Sequence, residues 1–449
     1  MRKDASLARL TMAVAVLATA EKAFANNLID ESTSGTQEAV SEGSNPTGST
    51  RFRNLAHPSP LTPDEEANPL TAILARRFNP AMAFATRDIW PVPVAYAFAG
   101  GAPLTGKIRD TTGRVLREFI ALGNRRLLEN DWGDLSTTDS DGNPIDYLVD
   151  APGDDRVSRG LSAWQLRFRE IQGGAKVTAP AVPPAIEKPH GTPYPPTQYA
   201  HAFWWNRSLG LLAIQYWFFY PYNEWINHHE GDWEHINVIL HGPTQLHDDQ
   251  AFRVAGYQYF FHEFSHEPRR VIRITGSDAL EDHVMVYVGG LSSFLRWKGT
   301  QSGGSYPLPA IFPRSGGGVG NWRAHDDIRK PARFIRPEDF AIVMLPEPER
   351  LDVGLNPSLS WLRLSFFAGQ THMHENPLTL NGMSFGTTPR QPARQETWNA
   401  GRHPPDWDDR EIVEPTALAI PPEYVPLLTP IGVRETPTVS ARRSKRKHR

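Results

Sequence analysis

Apolar and polar positions change rhythm along this chain. Across Thr112–Asn130, Val115, Phe119 and Leu122, together with Leu116 and Ile120, recur at helical spacing. Val157, Leu161, Trp164, Phe168 and Ile171 do so more loosely. These two stretches predict helices. After Tyr199 the pattern shifts to short β-branched or aromatic runs, separated by Gly, Pro, Asn or Asp clusters: Leu211–Tyr220, Trp233–Leu240, Phe252–Phe261, Arg270–Thr275, His283–Val288 and Ala341–Leu345. No helical run alternates regularly with these predicted strands, which speaks against a doubly wound parallel sheet. The expectation is a mainly β fold, a β-sandwich core with a few peripheral α-helices. Leu209–Tyr222 is the most apolar stretch. It is too short to cross a bilayer as a helix, which takes about 20 residues, and reads as a central strand buried on both faces.

The ends of the chain have a different character. Arg2, Lys3 and Arg9 precede an apolar run from Leu10 to Ala20, followed by the small-x-small pattern Ala23-Phe24-Ala25. This predicts an export signal over 1–25 and places the protein in the periplasm or outside the cell. Residues 26–68 are rich in Ser, Thr, Asn, Gly and Glu and read as a disordered linker. The predicted folded domain covers 69–410, with a Pro-rich surface connection over Thr178–Tyr199. Residues 411–449 form a Pro-rich tail that ends in a basic run, Arg442 to Arg449.

Composition narrows the chemistry. The 449 residues include no Cys, which excludes disulfides, cysteine nucleophiles and thiolate metal sites, so any metal must sit on His, Asp and Glu. A formal charge of −3 gives no general reason to bind nucleic acid. Forty prolines and 35 glycines make a loop-punctuated chain, while 13 Trp, 12 Tyr and 21 Phe supply a core.

The densest polar cluster follows the apolar strand: Asn227-His228-His229-Glu230-Gly231-Asp232-Trp233-Glu234-His235. Side chains alternate along a strand, so Asp232, Glu234, Ile236, Val238 and Leu240 share a face. Two carboxylates at the end of a hydrophobic face need a pairing partner or a cation. His229, expected in the preceding turn, can fold back to the same point, with Gly231 permitting the approach. Equal counting outward from a hairpin centred near Leu246 brings His262 opposite Glu230–Asp232 as a fourth ligand or an outer partner. The expected metal set is His229, Asp232, Glu234 and His262. Its oxygen-rich donors favour Ca²⁺ or Mg²⁺ over Zn²⁺. The competing expectation is a metal-free charge network with Arg269, Arg270 or Arg273.

Other patterns are weaker. His262-Glu263-Phe264-Ser265-His266 matches a zinc-peptidase spacing, but its flanks favour strand and Pro268 follows. Gly382-Met383-Ser384-Phe385-Gly386 matches a nucleophile elbow, yet Pro389 stands where a helix should begin. Asp139-Ser140-Asp141-Gly142-Asn143 resembles part of a calcium loop and is read as a polar turn.

Ile214-Gln215-Tyr216-Trp217-Phe218-Phe219-Tyr220-Pro221-Tyr222-Asn223, followed by His229-Glu230-Gly231-Asp232-Trp233-Glu234, resembles the signature of the vacuolar protein sorting-associated protein 62 family. Phe78-Asn79-Pro80 through Trp90-Pro91-Val92 resembles its opening segment, and Val286-Tyr287-Val288 a later strand. The family continues that strand with Gly-Ser-His-Ala-Ser, where this chain has Gly289-Gly290-Leu291-Ser292-Ser293; Leu291 replaces the His. By its name the resemblance implies a role in protein sorting. His229, Asp232 and Glu234 are also similar in spacing to the His-x-x-Asp-x-Glu metal ligands of the necrosis-and-ethylene-inducing protein family. That resemblance implies a metal-bearing β-sandwich that engages membrane sphingolipids.

The leading expectation is an exported, divalent-metal-binding β-sandwich acting in surface or ligand binding. Trp204, Trp205, Trp225 and Trp233 are candidate platforms for a carbohydrate or lipid headgroup, against the plainer expectation that they pack the core. The alternatives are a metal-dependent hydrolase, with Glu230 or Glu234 as general base, and a secreted membrane-damaging protein.

Overall fold

The computed structural model describes residues 58–85, 90–98, 103–123, 126–127, 132–149, 186–187, 193–223, 229–260, 282–290, 301–306, 311–313, 325–327, 331, 333–369, 389–395 and 397–399. Three sheets carry the fold. The central one contains β1 (Ser59–Pro60), β6 (Thr197–Asn206), β7 (Leu211–Asn223), β8 (His229–His241) and β9 (Arg253–Tyr259) in that order, with β13 (Ala341–Met344) parallel to β6. A second sheet has the order β11–β10–β2–β12, formed by Gln301–Tyr306, Met285–Gly290, Ala81–Phe84 and Arg333–Ile335. In the third, β14 (Ser365–Ala368), β5 (Ile145–Val149), β3 (Leu104–Arg109) and β4 (Val115–Leu122) lie side by side. The fold is mainly β, as the run of short apolar segments predicts.

The central strands bury both faces, which explains why Leu212–Tyr220 reads as nearly continuous hydrophobic sequence. One face carries Tyr216, Ile236 and Tyr259 in a cross-strand row. It packs on helix α2 (Pro69–Arg77), where Tyr216 Oη donates to the Ala75 carbonyl at 2.8 Å. It also meets the second sheet, where Tyr259 Oη donates to Met285 O at 2.9 Å. The opposite face carries Tyr199, Trp217 and His235 in one row and His201, Gln215, Asn237 and Gln258 in the next. A 3₁₀ turn, Pro357–Arg363, covers it by stacking Trp361 on Trp233 with centroids 5.8 Å apart. The segment around Trp398 packs on the same face. Each wholly buried aromatic contributes roughly 1.5–3 kcal/mol through area removed from water.

Several expectations are corrected. Thr112–Asn130 is not a helix: Val115–Leu122 is strand β4, paired with β3. The turn before it decides this. Asp110 Oδ1 accepts from the backbone N–H groups of Thr112 and Arg114, and Gly113 sits at φ +83, closing a hairpin that overrides the helical spacing. The Pro-rich stretch ending at Tyr199 is not all surface: Tyr194 is buried, and Thr197 already opens the buried strand β6. The fold also begins inside the stretch expected as linker. Thr62 and Glu65 form a reciprocal capping box on α1 (Pro63–Glu66), and Asn68 caps α2. The expected helix over 157–171, the strand Arg270–Thr275, the signal segment and the C-terminal tail lie outside the described residues. Among the described residues no helix is long and apolar enough to cross a membrane.

Candidate functional site: a buried carboxylate pair on β8

The β7–β8 hairpin is in continuous antiparallel register from His229↔Asn223 to His241↔Leu211. Asp232 therefore stands directly opposite Tyr220, and Glu234 opposite Phe218. Alternation places Asp232, Glu234 and Tyr220 on the face that meets the second sheet. All three are fully buried. Gly303 of β11 presses onto them: a Cβ there would lie 2.8 Å from Asp232 Oδ2, 3.3 Å from Glu234 Cγ and 3.4 Å from Tyr220 Cδ2. Its φ of +73 is a conformation that glycine adopts without steric cost. Two sheets thus close over two carboxylates and a phenol with no side chain between them on the β11 side. Burial pushes the Tyr220 hydroxyl pKa well above its ordinary value, and the negative charge of Glu234 and Asp232 adds to this.

Both predicted carboxylate ligands are brought together on one face, as strand alternation requires. His229 is placed differently from expectation. Its backbone belongs to strand β8 and not to a preceding turn, and Gly231, at φ +63, lies within that strand with the register unchanged on either side. The side chains of His229 and Glu230 lie outside the described residues. The β8–β9 hairpin pairs Ile236 with Tyr259 and continues to His241↔Arg253 with one bulge. His262 lies beyond the last paired residue, outside the described part of the chain, as do Arg269, Arg270, Arg273 and Leu291. Among the described residues no three His, Asp or Glu side chains gather in a metal-binding group.

Carboxylates without cysteine or a described imidazole form a hard oxygen donor set. Such a set suits Ca²⁺ or Mg²⁺, and burial makes a nearby positive charge worth far more than it is in water.

Three of the candidate platforms are core residues. Trp204 and Trp233 are fully buried and Trp205 nearly so. Trp233 is enclosed by Tyr199, Phe219 and Trp361. Trp225, the peptidase-like His262–His266 and the elbow-like Gly382–Gly386 lie outside the described residues. Asp139–Asn143 is a tight polar turn in which Asp139 Oδ1 accepts from the backbone N–H groups of Asp141 and Asn143.

Sequence reasoning missed two features. Tyr220 was discoverable, because counting back through the hairpin puts it opposite Asp232. Gly303 was not, since nothing local in Gln301–Tyr306 announces which strand it will cross.

No family model matches the chain, and no curated protein matches it. Among solved structures it is similar to the crystal structure of the non-toxic HaNLP3 protein, at 12% identity over 64% of this chain and 78% of that one, with a TM-score of 0.23. At that score the likeness carries no argument about function.

Proposed function

We propose that this is an exported β-sandwich protein that binds a divalent cation, Ca²⁺ or Mg²⁺, through His229, Asp232 and Glu234, with His262 as a further partner, and uses it in surface or ligand binding. The observation that carries the reading is the wholly buried pair Asp232 and Glu234 on one face of β8. Two carboxylates side by side on one buried face are an oxygen donor pair whose charge a divalent cation matches. The resemblance of Ile214–Asn223 and His229–Glu234 to the vacuolar protein sorting-associated protein 62 family is what suggests a sorting-type role, and the basic and apolar N-terminal pattern is what suggests export. Recognition of a carbohydrate or lipid headgroup would then run through the cation's oxygen chemistry, because Trp204, Trp205 and Trp233 are enclosed in the core.

Elemental analysis of the purified full chain tests this. One equivalent of Ca or Mg, lost in Asp232→Ala, is the expected result. A metal-free protein that takes up neither ion on dialysis would overturn it.

A further inference from the structure

Tyr220 is fully buried, stands opposite Asp232 in the hairpin register, and packs with Asp232 and Glu234 beneath Gly303. Its hydroxyl makes no hydrogen bond among the described residues. Tyr216 and Tyr259, on the same face of the central sheet, do make one: Tyr216 donates to Ala75 O and Tyr259 to Met285 O. A wholly buried hydroxyl without a partner has given up its hydrogen bonds to water with nothing in return. A phenol can donate to an oxygen, and it is a poor substitute for a carboxylate as a cation ligand.

We infer that Tyr220 is a positioning residue whose O–H holds a water bound to a cation at Asp232 and Glu234, so that one oxygen ligand of the cation is water and not protein. This rests on the cation reading above. Ca²⁺ and Mg²⁺ commonly retain water, and Mg²⁺ gives up its hydration shell reluctantly. An outer donor that orients a ligand oxygen changes metal affinity by about 10- to 100-fold.

Mn²⁺ is the probe, because it takes the same hard oxygen donors and reports bound water by proton relaxation. Wild-type full chain and Tyr220→Phe are each titrated with Mn²⁺ alone. The expected result is about tenfold weaker binding in Tyr220→Phe, with a changed water relaxivity of the bound ion. Equal affinity and equal relaxivity would overturn the role of Tyr220 and leave the cation site standing. A wild-type chain that takes no Mn²⁺ would overturn both. Phenylalanine keeps the ring and its packing; should that variant not fold, 3-fluorotyrosine in place of Tyr220 reads the same contact. A ¹⁹F shift on adding Ca²⁺ supports the inference, and an unmoved resonance contradicts it.

Discussion

His201 Nε2 lies 3.4 Å from Glu347 Oε1, and both side chains are buried between β6 and the segment that ends at Asn399. The surroundings fix the charge state. His201 Nδ1 faces the Leu345 carbonyl at 3.0 Å, and Nε2 faces Asn399 Oδ1 at 2.7 Å. Asn399 Nδ2 donates to Glu347 Oε1, so the amide oxygen is the atom turned to the histidine. Both ring nitrogens meet acceptors, and only the imidazolium satisfies both. The ring also stacks on Trp398, at 3.7 Å between centroids.

This pair predicts a bounded window of maximal stability. Burial works against the His201 charge, but the hydrogen bond and charge of Glu347 outweigh it, so its folded pKa is raised above 6.5. Its contribution is complete below the unfolded value and is lost as pH rises through the folded one. For Glu347, burial again opposes, and His201, Asn399 and Trp398 bring its pKa down to about 2. That contribution is complete above the ordinary 4.5 and is lost as pH falls toward 2. Urea unfolding from about pH 3 to 9, which brackets the carboxylate and histidine ranges, should show the largest pairing contribution between about 4.5 and 6.5. Glu347→Gln should flatten the profile. Removing one partner of a buried pair costs roughly 3–5 kcal/mol, so Glu347→Ala should unfold well before wild type at pH 6. A profile unchanged in both variants would show that the pair does not govern stability.

A second carboxylate anchors the other end of the sheet. Glu65 opposes its own burial through Arg207, whose two terminal nitrogens donate to its two oxygens at 2.7 and 2.6 Å, and through Thr62 and Trp204. Its pKa falls to about 2. Its stabilisation is therefore present above the ordinary carboxylate value and is lost as pH falls toward 2. Glu65→Gln should cost about 1.5–3 kcal/mol at pH 7, the worth of hydrogen bonds to a charged group, and much less at pH 3. Equal losses at the two pH values would contradict the assignment.

Gly303→Ala should both destabilise the fold and close the site. The left-handed backbone alone costs roughly 1–2 kcal/mol for a residue with a Cβ. The new methyl would then stand 2.8 Å from Asp232 Oδ2. The measurement is urea unfolding beside Ca²⁺ titration: lower stability with weaker Ca²⁺ binding is expected, and retained affinity would show that β11 does not wall the site.

Burial predicts opposite sensitivities at two apolar positions. Trp361 is 1% exposed and stacks on Trp233, so Trp361→Ala should cost about 3–5 kcal/mol. Ile120 on the edge strand β4 is 70% exposed, and Ile120→Thr should stay within about 0.5 kcal/mol. Urea midpoints of the two variants check both values.

What was legible in the sequence follows from the range of the physics. The parity that joins Asp232 to Glu234 is local and survives in the fold. So does the double-sided burial of Leu212–Tyr220, because a near-continuous apolar run has few other solutions. Strand β4 was misread as helix because Val115, Phe119 and Leu122 fit a 3.6 period, while the deciding information lay in the Asp110–Gly113 turn. Strand β6 was missed because Thr197–Asn206 emerges from a proline-rich lead. The His201–Glu347–Asn399 cluster was invisible, since its members are 146 and 52 residues apart along the chain and meet only through sheet packing. Gly303 over Asp232 belongs to the same class.

The central claim is a divalent cation at Asp232 and Glu234, and thermal unfolding of the full chain with and without Ca²⁺, Mg²⁺ and Zn²⁺ tests it most directly. A ligand that binds the native state stabilises it by mass action, about 2.7 kcal/mol at a hundredfold excess over Kd. The expected result is a rise in unfolding temperature with Ca²⁺ or Mg²⁺ that exceeds any rise with Zn²⁺ and is absent in Asp232→Ala. Unfolding temperatures that no cation moves, or that move equally in wild type and Asp232→Ala, would contradict it.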